Sequence, residues 1–129
     1  ITSTIVQRRV YVSISFSNER PIYLQIVDQI KIKIITGEYK PGDKLPSVRE
    51  MAMEMQVNPN TMQRAYSYLE MEGLVHSQRT SGRYVDPDPE KVRQLKKELA
   101  KTQVRDFLKS MQQLGFGMDE IIEVLESMR

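Results

Sequence analysis

The 129-residue sequence contains no cysteine and a single histidine, His76. The first absence excludes disulfides and thiolate metal sites, and it fits a reducing, cytoplasmic setting. The second excludes a metal site built from several imidazoles, so no metal and no cofactor is expected. Long apolar runs are missing too: none approaches the roughly 20 residues of a bilayer-crossing helix. Residues 1–20 lack an apolar core followed by a small-residue cleavage site and do not read as a secretory signal. A large charge of one sign is also absent. Residues 1–88 carry 11 Lys and Arg against 10 Asp and Glu, and residues 89–129 carry 8 against 7. Neither part has the strongly basic composition of a phosphate-binding module. Finally, no nucleophile–base pair, phosphate-cradling glycine loop or carboxylate cluster stands out, so an enzyme is not expected.

What is present is an ordered series of element signals. Val10, Val12, Ile14 and Phe16 alternate with the period of a half-buried strand in an N-terminal extension, residues 1–20. Pro21 suits a first helical position. Tyr23, Ile26, Val27, Ile30 and Ile34 then form a stripe at spacings of three and four, ended by Gly37. The run Ile30–Ile35 alone would pass for a strand, but the stripe continuing from Tyr23 selects helix. A turn at Lys40-Pro41-Gly42-Asp43 precedes Ser47-Val48-Arg49-Glu50, which has the form of a capping box. The helix it opens carries Val48, Met51, Ala52 and Met55 on one face and ends near Gln56-Val57. Asn58 and Pro59 start another, with Met62, Ala65, Tyr66 and Leu69 as its stripe and Gly73 as its end. Residues 74–77 and 83–85 read as short strands around the loop Gln78–Gly82.

Two short amphipathic helices so closely joined make a helix-turn-helix. Met51, Met55 and Met62 read as core filler, and His76 as a strand or surface residue. The opposite face of the second helix shows Asn60, Thr61, Gln63, Arg64 and Ser67, groups able to read base edges in a major groove. They gather at the end of a recognition helix that meets the groove first, where free N–H groups also favour a phosphate. Arg49 can position the duplex or reach a guanine. Arg79 and Arg83, flanking Gly82, would form a wing for the minor groove or the backbone. Taken singly, the capping box is usually only a cap and Arg49 usually a solvated charge. The ordered set is what carries the reading.

Residues 21–85 resemble the winged-helix domain of the GntR family of bacterial regulators. The resemblance lies in Pro21–Ile26, in Gly37–Glu50 with its Lys40-Pro41-Gly42-Asp43-Lys44-Leu45-Pro46-Ser47 core, in Val57–Thr61 and in Leu69–Val75. It implies DNA contacts at Arg49, Asn58, Asn60, Thr61, Gln63 and Arg64, with Gly82 at the wing tip. One departure is plain: the family's wing reads Gly-x-Gly, and Thr80 holds the first glycine position.

Asp86-Pro87-Asp88-Pro89 reads as a linker, followed by one helix over about 90–113 and another over about 118–128, broken at Gly115-Phe116-Gly117. About 40 residues are too few for the large effector or aminotransferase-like domains of GntR relatives and are similar to the short YtrA-like branch. Val104, Phe107, Leu108, Met111 and Leu114, with Ile121, Ile122 and Leu125, offer more apolar surface than the hairpin covers. That surplus is expected to bury in a homodimer, which would match a palindromic operator; packing back onto the winged domain is the alternative. The expected fold class is mainly α with a small β component (α+β): a winged helix-turn-helix over 21–86 and a helical dimerisation segment over 87–129. The expected function is a DNA-binding repressor, with double-stranded operator DNA as partner, room for a small-molecule effector and no membrane. The alternative is a winged-helix protein-interaction module.

Overall fold

The computed structural model describes residue 16, residues 18–79 and residues 81–129. The strand expected over 10–16 lies outside these residues, Phe16 excepted, and so does Thr80. The elements are α1 (Ile22–Ile35), α2 (Val48–Met55), α3 (Pro59–Met71), β1 (Val75–Gln78), β2 (Gly82–Val85), α4 (Pro89–Gln113) and α5 (Met118–Ser127). This is the expected α+β class.

The isoleucine run is helical because its side chains have a core to fill: Ile26, Val27, Ile30 and Ile34 are buried along one face of α1. Each such burial stabilises by roughly 1.5–3 kcal/mol, which outweighs the weaker helix propensity of β-branched residues. Pro21 is the N-cap of α1 rather than its first residue. Its carbonyl accepts from the N–H groups of Leu24 and Gln25 at 3.1 and 3.3 Å. Met51, Ala52 and Met55 of α2 and Met62, Ala65, Tyr66 and Leu69 of α3 complete the three-helix core. Lys31 of α1 pairs with Glu72, just beyond α3, at 2.9 Å.

Both caps form. The Glu50 N–H donates to Ser47 Oγ at 3.1 Å, and the Ser47 N–H to Glu50 Oε1 at 2.9 Å. The Asn60 N–H donates to Asn58 Oδ1 at 2.7 Å, with Pro59 as the first residue of α3. Each cap is worth about 1 kcal/mol. Between the two helices, Gln56 takes the left-handed conformation at φ +56°, which turns the chain within a single residue at a cost of roughly 1–2 kcal/mol.

β1 and β2 pair antiparallel, with Val75 opposite Val85 and Gln78 opposite Gly82. The segment expected only as a turn contributes a third, short edge. Gly42 and Leu45 donate to the carbonyls of Val85 and Arg83, and Val85 donates to Asp43. Leu45, Val75 and Val85 are buried beneath this hairpin.

The Asp86–Pro89 stretch is a built joint rather than a loose linker. Asp86 is buried and accepts from the Asp88 N–H at 2.8 Å, from His76 Nε2 and from Lys91 Nζ at 3.1 Å. Lys91 also donates to the Gly73 carbonyl at 3.0 Å, and Asp88 Oδ1 accepts from the Glu90 N–H to start α4. These bonds tie the first turn of α4 to the winged domain. The chain accordingly divides into compact units after Arg93, later than composition indicates. The Asp88 backbone N–H, His76 and Lys91 hold the Asp86 carboxyl at about 2, against an ordinary value of 3.8. A carboxylate depressed in the folded state stabilises above its unfolded value and loses that contribution as pH falls through the folded one. Asp86→Asn is therefore expected to lower Tm at neutral pH, with the gap to wild type closing between about pH 4 and pH 2 in a thermal-melt series.

Candidate nucleic-acid interface

The helix-turn-helix buries one face of α3 and leaves the other in water. Asn60, Gln63, Arg64 and Ser67 are exposed, whereas Thr61 is half-buried at the margin. Gln63 Nε2 donates to Ser67 Oγ at 3.3 Å, so these two form a pre-arranged polar pair. The Asn58 side chain is exposed, with its Oδ1 already spent on the Asn60 N–H. The cap shapes the α3 N-terminus through Oδ1 and leaves the Nδ2 donors of Asn58 free. Arg49 stands exposed in the first turn of α2.

Tyr66, in the middle of α3, is buried, and its hydroxyl donates to the Pro46 carbonyl at 2.7 Å. That bond fixes the segment entering α2 against the recognition helix. Burial pushes the Tyr66 phenol well above its ordinary value, so the hydroxyl keeps its proton as a donor. The Ser47 backbone N–H and hydroxyl hold the Glu50 carboxyl below the usual range, which keeps the α2 cap ionised.

The wing departs from expectation at Arg83. Its Nε donates to Glu70 Oε1 at 2.6 Å, and its guanidinium stands 5.4 Å from the Tyr66 ring centroid. Glu70 also accepts from Ser77 Oγ of β1 at 2.8 Å. Partial burial raises the Glu70 carboxyl, but Arg83 and Ser77 outweigh it and hold the group below its ordinary value. Arg83 is thus a strut between the wing and α3 through its Nε, which leaves its terminal guanidinium donors for any contact with DNA. Arg79 is exposed and has no ion-pair partner among the described residues. Gly82 has φ +105°, and a Cβ there would stand 3.2 Å from Lys44 Cε. Lys44, which the sequence reading did not select, is exposed and bridges to Tyr84 beside the wing. Its sequence signals are its place directly after the Pro41-Gly42-Asp43 turn and within the stretch that carries the family resemblance.

Lys40, Lys44, Arg49, Arg64 and Arg79 are therefore the exposed cations of the winged domain without an ion-pair partner among the described residues, while Arg83 is half-buried and paired with Glu70. This arrangement defines a winged helix-turn-helix of the DNA-binding class. Residues 22–85 match the profile described as bacterial regulatory proteins, gntR family. The chain is 44% identical over 112 residues to the HTH-type transcriptional regulator YhcF of Bacillus subtilis, covering 87% of this chain and 93% of that one. It is 51% identical over 65 residues to the HTH-type transcriptional repressor YtrA of the same organism, covering half of each. Among solved structures, a GntR family transcriptional regulator from Listeria monocytogenes superposes with a TM-score of 0.79 at 40% identity, covering 87% of this chain and 98% of that one. The AraR DNA-binding domain in complex with operator ORX1 matches at 26% identity with a TM-score of 0.51, covering 55% of this chain and 92% of that one. The chain belongs to the GntR family. It is a DNA-binding transcriptional regulator and not an enzyme. Among the described residues no helix is long and apolar enough to cross a membrane.

The two wing arginines are expected to separate by assay. Arg83→Ala should lower unfolding free energy by roughly 1–2 kcal/mol in denaturant titration, because it leaves Glu70 without its charged donor. Arg79→Ala should leave stability unchanged and weaken duplex DNA binding, an effect that fades as salt is raised.

Proposed function

We propose that the chain is a repressor that occupies operator DNA as a homodimer, with α3 in the major groove. The observation carrying this reading is the exposed polar face of α3, Asn60, Gln63, Arg64 and Ser67, on a capped helix backed by a rigid core. Arg49 supports it from α2, and Arg79 and Lys44 bracket the backbone from the wing. The operator-bound AraR domain, which shares this fold, and the repressor YtrA support the same assignment by analogy.

The C-terminal unit supplies the second half of the proposal. Val104, Phe107 and Leu114 of the α4 segment are 53%, 41% and 71% exposed, and Ile122 and Leu125 of α5 are 48% and 50% exposed. Leu108 and Met111 are half-buried. Ile121 is only 1% exposed, so it lies behind the apolar face rather than on it, and it leaves the set proposed for dimer contact. An exposed apolar stripe of this extent is costly on a monomer and suits a two-fold interface. Two copies would then present two α3 helices to the half-sites of an inverted repeat. Release by a small-molecule effector is compatible with this scheme and not required by it.

Arg49→Ala and Arg64→Ala are each expected to weaken binding to an inverted-repeat operator by roughly 1–3 kcal/mol in gel-shift titration, with melting temperature unchanged for Arg49→Ala and only slightly lowered for Arg64→Ala. Unaltered affinity in both variants would remove α3 and α2 from the DNA surface. Phe107→Glu should convert the protein to monomers in sedimentation velocity, since the charge would be buried unpaired. A surviving dimer would place the interface elsewhere.

A further inference from the structure

The guanidinium of Arg64 lies over the ring of Tyr23, with Cζ 4.0 Å from the centroid. Tyr23 in turn meets Tyr68 edge to face, with centroids 6.1 Å apart and planes at 65°. Tyr23 stands in the first turn of α1, and Arg64 and Tyr68 are one turn apart on α3. A cation–ring stack occupies the face of a guanidinium and leaves free the N–H donors that lie in its plane. Arg83 shows the contrast: it also lies over a ring, but its Nε is committed to Glu70. Among the described residues no carboxylate pairs with Arg64.

We propose that Tyr23 is a positioning residue for DNA recognition, holding Arg64 in one orientation, with Tyr68 as a buttress, so that its edge donors meet the duplex ready-made. The proposal rests on the reading of α3 as the DNA-contacting helix. An unrestrained arginine gives up rotamer freedom when it binds, whereas a stacked one has given it up on folding. Stacking also dehydrates one face of the cation while leaving the bonding edge wet until the duplex arrives. The aromatic ring, not the phenol hydroxyl, is the working part.

The test uses the full chain and a duplex selected by the wild-type protein from a random-sequence pool, with affinity and melting temperature measured together. Tyr23→Leu should weaken binding by about two- to five-fold, the range expected for an exposed cation–ring stack. Tyr23→Phe should bind like wild type. In an Arg64→Ala background, Tyr23→Leu should cause no further loss, since its effect runs through that arginine. If Tyr23→Leu fails to fold, Tyr23→Met serves in the same comparison. Additive losses in the double variant, or equal losses for leucine and phenylalanine, overturn the proposal while leaving α3 as the DNA helix. Unchanged affinity in Arg64→Ala alone also overturns the proposal, and unchanged affinity in Arg49→Ala as well overturns the reading of α3.

Discussion

Tyr66 is the residue on which the recognition surface depends. Its ring fills the centre of the three-helix core, its hydroxyl holds the Pro46 carbonyl, and Arg83 lies over it from the wing. One side chain therefore ties α3 to the entrance of α2 and to β2. The geometry is demanding because the hydroxyl is buried and must keep its partner; a buried donor left unsatisfied costs about 1–3 kcal/mol. Pro46 can play this part because its carbonyl is available while its missing N–H costs nothing. Ser47 then begins the cap at the very next residue, so the helix-turn-helix angle and the α2 start are set by neighbouring atoms.

The same frame sorts the cations. In a chain with nearly balanced charge, a DNA surface has to be made by placing cations rather than by accumulating them. Glu70 pairs with Arg83, and Glu72 with Lys31. Lys40, Lys44, Arg49, Arg64 and Arg79 are left facing water. Arg64 differs from the others in being held by a ring rather than by an acid, which restrains it without neutralising it. Acidic partners thus serve the framework, and an aromatic partner serves the cation on the polar face of α3.

Helix positions were largely legible because their signals are local. The Ser47–Glu50 box, the Asn58-Pro59 start and the stripes of α1 and α3 involve residues within one or two turns, and each lies where its pattern indicates. Long-range pairings were not legible. Arg83 meets Glu70 across 13 residues, and nothing in a basic hairpin distinguishes a strut from a wing contact. Asp86 sits in a Pro-rich stretch that composition reads as linker, yet His76 of β1 and Lys91 of α4 meet it only once those elements come together. Gln56 turns left-handed without the glycine that would have announced it. Ile121 and Ile122 are alike as letters, and only the packed helix shows that one is buried and the other exposed. The exposed polar face of α3 follows from its periodicity, whereas Tyr23 was read only as a core residue because its stripe gave it no second role.

The proposed dimer follows from arithmetic as much as from exposed leucines. A good bidentate base contact contributes roughly 1–3 kcal/mol of discrimination, and α3 offers few side chains of that kind. A specific complex at nanomolar dissociation constant requires about 12 kcal/mol. One winged domain with a handful of exposed cations and balanced charge over residues 21–86 falls short of that, because its sequence-independent phosphate attraction is modest and fades with salt. Two domains joined by a shared apolar interface bring both recognition helices to one site, and the second binds at the high effective concentration set by the first. The weak basicity of the chain and the uncovered apolar stripe of its C-terminal helices thus point the same way: affinity from pairing, with little stray attraction to DNA of the wrong sequence.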